Sequence, residues 1–126
     1  MAGVRVADGR LHVSLNVVER IAALRWREIS VALEAVRTVE VVDRPWASGM
    51  IRRSFQMGVV TKSRPARRLA TVGPRARTLT GGRALIVVYN DGPCLYVTAG
   101  AEWEALLISI EDAATMASEV AHALRR

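Results

Sequence analysis

Apolar and polar residues alternate from the start of the chain. Val4 and Val6 flank Arg5, Asp8-Gly9 follows, and Leu11, Val13 and Leu15 then alternate with His12 and Ser14. Asp-Gly between two alternating runs predicts a β-hairpin with a type I′ turn, which needs positive φ at both central residues. Asn16 breaks the pattern. It stands three residues before Glu19, as in a capping box, and Val17, Ile21 and Leu24 recur at helical spacing. A short helix is therefore predicted over residues 17–25, one that depends on tertiary packing to persist.

Two strand-like runs come next. Residues 26–33 place Ile29, Val31 and Leu33 on one parity, and residues 36–42 are rich in β-branched side chains. Glu34 and Ala35 make the tight connection between them, and Asp43-Arg44-Pro45 ends the second run, since proline cannot donate to a ladder. Periodicity is poor over residues 44–83, where short strands are predicted near 58–62 and 67–72, because a structureless loop of that length is uncommon in a compact domain.

The pattern then recovers. Residues 84–88 are apolar on both parities and predict a central strand covered on both sides. Asn90-Asp91-Gly92-Pro93 is a turn, Leu95 to Thr98 a strand, and residues 105–110 one more strand with Leu106, Ile108 and Ile110 on one face. Asp112 is placed to cap a terminal helix over 113–125, with Ala113, Met116, Ala117, Val120 and Leu124 on one face and Arg125 and Arg126 at the negative end of its dipole.

The predicted order is strands, a short helix, more strands and one amphipathic helix. Without βαβ alternation, this predicts a mainly β (α+β) domain: an antiparallel sheet or barrel with a helix over one open side. The 126 residues suffice for one domain with one core, and an apolar fraction of 51% excludes wholesale disorder. No apolar run approaches the ~18 residues of a membrane-spanning helix, and residues 1–10 do not read as a secretory signal. One cysteine, Cys94, cannot form an internal disulfide and points to the cytoplasm.

Motifs spread over most of the chain resemble the bacterial pleckstrin-homology-like (PH-like) proteins of high-GC bacteria. They are the Asp8-Gly9 hairpin and the segment from Asn16 through Val31-Ala32-Leu33-Glu34-Ala35-Val36-Arg37-Thr38-Val39. Asp43-Arg44-Pro45-Trp46 follows, then Leu106-Leu107-Ile108-Ser109-Ile110-Glu111-Asp112 leading into the last helix. The resemblance implies a single PH-like domain over 1–126: a bent antiparallel barrel of about seven strands, with a short helix after the second strand and a C-terminal capping helix. The family is largely without assigned activity. Eukaryotic lipid-binding relatives carry a spaced basic motif on the first hairpin, where this chain has only Arg5 and Arg10, and they usually bury a Trp from the last helix, where this chain has none.

Charge changes the picture most. The formal net charge is +6, and seventeen of the eighteen cations are arginine. Ten cations fall within residues 44–83: Arg44, Arg52, Arg53, Lys62, Arg64, Arg67, Arg68, Arg75, Arg77 and Arg83. That stretch has no Asp or Glu, so the remainder of the chain is net acidic, at −4. A localised basic surface attracts polyanions, and arginine adds planar, bidentate recognition of carboxylate and phosphate. The alternative is a solvated arginine-rich face with no partner. Trp46, near Met50, Ile51, Phe55 and Met57, reads either as part of a docking loop or as an aromatic folded back onto the core.

The expected function is a non-enzymatic binding or scaffolding module. Its basic surface, with Trp46, would face an acidic protein partner or a second copy of the chain. One alternative is phosphate recognition on an anionic membrane surface or nucleic acid through the same arginines, with peripheral membrane attachment in the first case. Nucleic-acid binding lacks the interleaved aromatics it usually uses, since the chain has six aromatics and, apart from Trp46 near its start, only Phe55 lies within the basic stretch. A second alternative is a barrel carrying a small apolar ligand. No catalytic residues, metal or cofactor are expected. His12, His122 and Cys94 lack ligand spacing, Ser109 lacks a nucleophile elbow, Gly81-Gly82-Arg83 is a turn without a phosphate-loop Lys, and Glu102 and Glu104 show no paired role.

Overall fold

The computed structural model describes residues 3–14, 29–56, 60–63, 69–72, 77–89, 92–100 and 102–125, and for Arg52, 60–63, 69–72, Arg77 and Tyr89 it describes the backbone alone. The helix predicted over 17–25 lies outside the described residues. Strands β1 (Gly3–Ala7) and β2 (Arg10–Ser14) form the predicted hairpin, with Ala7 opposite Arg10. Asp8 and Gly9 take φ of 54° and 69°, the two positive values a type I′ turn requires. Strand β3 (Ile29–Ala32) adds to β2 and completes a three-stranded sheet. Leu11, Val13, Ile29 and Val31 form its buried face, as their alternation dictates.

A 3-10 turn, Leu33–Ala35, leads into β4 (Val36–Val42). The poorly periodic region then supplies a five-residue helix α1 (Met50–Ser54), which the sequence pattern did not indicate, and four short strands: β5 (Phe55–Gln56), β6 (Val60–Ser63), β7 (Leu69–Val72) and β8 (Arg77–Thr78). Strands β6 and β7 fall close to the two predicted segments. Strands β9 (Ala84–Tyr89), β10 (Cys94–Ala99) and β11 (Ala105–Ser109) follow, and helix α2 (Ala113–Leu124) ends the described chain.

Six strands form the main sheet in the order β4-β10-β11-β9-β7-β6, and β5 pairs with β8 as a small ribbon. The fold is mainly β with a C-terminal helix. Two expectations are corrected. The described strands do not close into a seven-stranded barrel; they form two sheets and a ribbon. The main sheet is also not wholly antiparallel, because β11 runs parallel to β9, with Leu85 opposite Leu106 and Val87 opposite Ile108. The cause lies in β11. Ala105, Leu106, Leu107, Ile108 and Ser109 are all buried, so this strand needs cover on both faces and a neighbour on each side. It enters between β9 and β10, two strands that are consecutive along the chain.

Each face of the main sheet carries its own apolar cluster. On one face Leu85, Val87, Leu95, Val97, Leu106 and Ile108 pack against the three-stranded sheet and helix α2. On the other, Ala84, Ile86, Val88, Cys94, Ala105 and Leu107 pack under Met50, Ile51 and Phe55. All five residues predicted for the inner face of α2 join the first cluster. Asp112 departs from its predicted role: its side chain makes no capping hydrogen bond, and the helix starts with the Met116 N–H donating to the Asp112 carbonyl at 2.9 Å. No helix among the described residues is long and apolar enough to cross a membrane.

Strand β11 is the structural centre, and Leu107 within it is fully buried. Leu107→Ala should lower unfolding free energy by about 2–5 kcal/mol. The partly buried Val39→Ala should cost clearly less, and urea denaturation of both variants measures the difference.

Candidate functional site

The described members of the predicted basic set do not gather at one point. Arg44 is exposed in the turn after β4, and Arg53 is exposed on α1. Arg52 shares α1, Lys62 lies in β6 at the edge of the main sheet, and Arg77 lies in β8 opposite Gln56. Arg64, Arg67, Arg68 and Arg75 lie outside the described residues. Arg83 is committed within the molecule: its guanidinium lies 4.5 Å from the Trp103 ring centroid and pairs with Glu102 at 2.5 Å. Trp46 is half-buried against the cluster of Met50, Ile51 and Phe55, so it covers the sheet face.

A cavity of about 300 Å³ opens at one end of that same face. Its wall combines β10, the start of β11, the end of α1 and the turn after β8. The local sequence explains each part. The Phe55 ring packs edge-on to Tyr96, with centroids 6.0 Å apart, and this sets the end of α1 over β10. The Ser54 hydroxyl hydrogen-bonds the Tyr96 phenol there. Burial pushes the Tyr96 phenol above its ordinary value, so it stays protonated throughout the neutral range.

The turn after β8 is held by a carboxylate. Thr78 donates to Glu104 Oε1 at 2.9 Å, and Thr80 donates to the same oxygen. The Gly82 N–H donates to Thr78 Oγ1 at 3.1 Å, and Gly81 takes φ of 91°. Glu104 lies so close to Gly82 that a Cβ at that position would collide with it, which requires glycine there. The two threonine hydroxyls, and then Arg37, hold the Glu104 carboxyl below its ordinary value. The role that the sequence left unassigned for Glu104 is therefore to join β11 to the β8 turn as an ion.

Arg37 reaches the cavity through a β-bulge. Along β4 and β10, Thr38 faces Thr98, but Ala99 faces Val36, so Arg37 is the unpaired extra residue. Strict alternation would have turned Arg37 into the apolar face beside Val39. The bulge puts Val36 there and directs Arg37 outward, which avoids burying an uncompensated charge. Gly100 leaves room for this side chain, since a Cβ there would come within 2.8 Å of Arg37 Nη2. Thr98, bonded to Thr38 through their hydroxyls, completes this side of the cavity.

His12 donates from Nε2 to the Ala7 carbonyl at 3.3 Å, His122 is exposed, and Cys94 is buried beside Ser109. Among the described residues no group of His, Cys, Asp or Glu is arranged to hold a metal ion. No protein-family model, no curated protein and no solved structure matches the chain.

Because the folded pKa of Glu104 is depressed, its ionisation adds stability at neutral pH. That contribution is present above the ordinary Glu value near 4.5 and is lost as pH falls through the lower folded value. Glu104→Gln keeps an acceptor for both threonines and removes the charge. The wild type should be the more stable at pH 7, and the gap should close on acidification below the ordinary Glu range, as followed by urea denaturation at each pH.

Proposed function

We propose that the chain is a non-enzymatic binding module whose basic segment, residues 44–83, docks an acidic protein surface. The observation that carries this reading is the segregation of charge. Ten cations and no acids lie in that segment, while the rest of the chain is net acidic. Exposed Arg44 and Arg53, and the position of Lys62 in the edge strand β6, support it. An edge strand offers unpaired backbone groups to a partner strand, and charge on it selects which partner approaches. The motifs resembling PH-like proteins support a module role.

A second copy is the first partner to test. Glu34, Glu40, Asp43, Glu111, Asp112 and Glu119 are exposed on the 3-10 turn, on and just after β4, and around α2, away from the β6 edge in the strand order. A head-to-tail contact between these acids and the basic segment would be complementary in charge. Phosphate recognition on anionic membrane or nucleic acid through the same arginines is the competing reading, and it predicts binding without any protein partner.

Sedimentation of the purified chain tests this. Association should be seen at about 0.1 M salt and be lost at about 1 M, where the Debye length falls from about 10 Å to about 3 Å. Arg67→Glu with Arg68→Glu should abolish it while leaving the thermal melt unchanged. Salt-sensitive binding to anionic vesicles or duplex DNA by a chain that stays monomeric would instead establish the phosphate reading.

A further inference from the structure

The cavity between β10 and the β8 turn holds two opposite charges that feel each other's field without forming a close pair. The Arg37 guanidinium and the Glu104 carboxylate both line it, yet no ion pair within 4.0 Å joins them. Arg37 acts on Glu104 through its charge, with no hydrogen bond or ion pair to a described residue, so its fork of donors has capacity for a ligand. On Glu104, both threonine hydroxyls converge on Oε1, which leaves Oε2, lying against Gly82, as an acceptor without a hydrogen-bonded partner among the described residues. The remaining polar wall is internally satisfied: Tyr96 is held by Ser54, and Thr98 by Thr38.

We propose that this cavity binds a small zwitterion, its carboxylate taken by the Arg37 guanidinium and its ammonium by Glu104 Oε2. Charge decides between ligand classes. A simple anion would meet the attraction of Arg37 but the repulsion of Glu104, and a simple cation the reverse. A molecule carrying both charges satisfies both walls at once. The guanidinium fork matches a carboxylate bidentately, and hydrogen bonds between charged groups are the stronger kind. A volume of about 300 Å³ stands at the small end of ligand sites, and suits a free amino acid or dipeptide. Both charged groups are positioned by backbone devices: the bulge that expels Arg37 from the core, and the glycine turn that seats Glu104.

The test is amide-resolved NMR of the intact chain titrated with the free amino acids and glycylglycine, with acetate, methylammonium and glucose as controls. At least one zwitterion should bind with Kd of about 1 mM or tighter, shifting the amides of Arg37, Thr98 and Glu104. Arg37→Met and Glu104→Gln should each weaken it at least about tenfold, the scale of one hydrogen bond to a charged group. Arg37 is exposed, so Arg37→Met should keep the wild-type spectrum away from the cavity. Absence of shifts with every zwitterion overturns the proposal. So does acetate or glucose binding as tightly as the zwitterion, or binding that Glu104→Gln leaves unchanged.

Discussion

The structure depends on one constraint: strands β9 and β11 are apolar on both faces and must be covered on both. A strand of this kind cannot lie at a surface, so the six-stranded sheet requires a layer on each side. The three-stranded sheet and helix α2 supply one layer. The segment from Pro45 to Phe55 supplies the other, which explains why Met50, Ile51 and Phe55 are buried within an otherwise polar stretch. The parallel β9–β11 pair follows from the same requirement, since it gives the wholly buried strand β11 a central place in the sheet.

The polar cavity is a by-product of that layering. The second cover is short and ends at Ser54, so the far end of the sheet face past Tyr96 is left for polar side chains. There the chain makes two local departures from regular structure. One is the bulge at Arg37, and the other is the glycine turn against Glu104. The first keeps a guanidinium out of the core, and the second gives a carboxylate hydrogen-bond donors. Together they leave two charged groups on one wall with capacity to spare.

The charge-segregated surface and the cavity are separate features. The basic segment meets its environment over an edge and a covering helix, where salt screens interactions strongly. Among the described residues, none of the cations of that segment lines the cavity. A partner docked on the basic face and a small ligand in the cavity could therefore act independently. Arg83 shows why counting arginines overstates a surface: its stacking on Trp103 and its pairing with Glu102 serve the fold.

What the sequence determined by itself was local. Asp8-Gly9 specified a type I′ turn because few residue pairs accept two positive φ values, and the limits of β4 and β9 followed from β-branched runs ended by proline and turn residues. The inner face of α2 was legible in its 3.6-residue period. Strand neighbours were not. Strands β9 and β10 are consecutive along the chain, but only the burial needs of β11 decide that it enters between them. The cavity was equally hidden. A slip in parity from Val36 to Val39 was the sole local sign of the bulge, and nothing near Glu104 announced Thr78 and Thr80, which lie 26 and 24 residues away. Register and long-range hydrogen bonding depend on which faces must be buried together, and that is a property of the packed molecule.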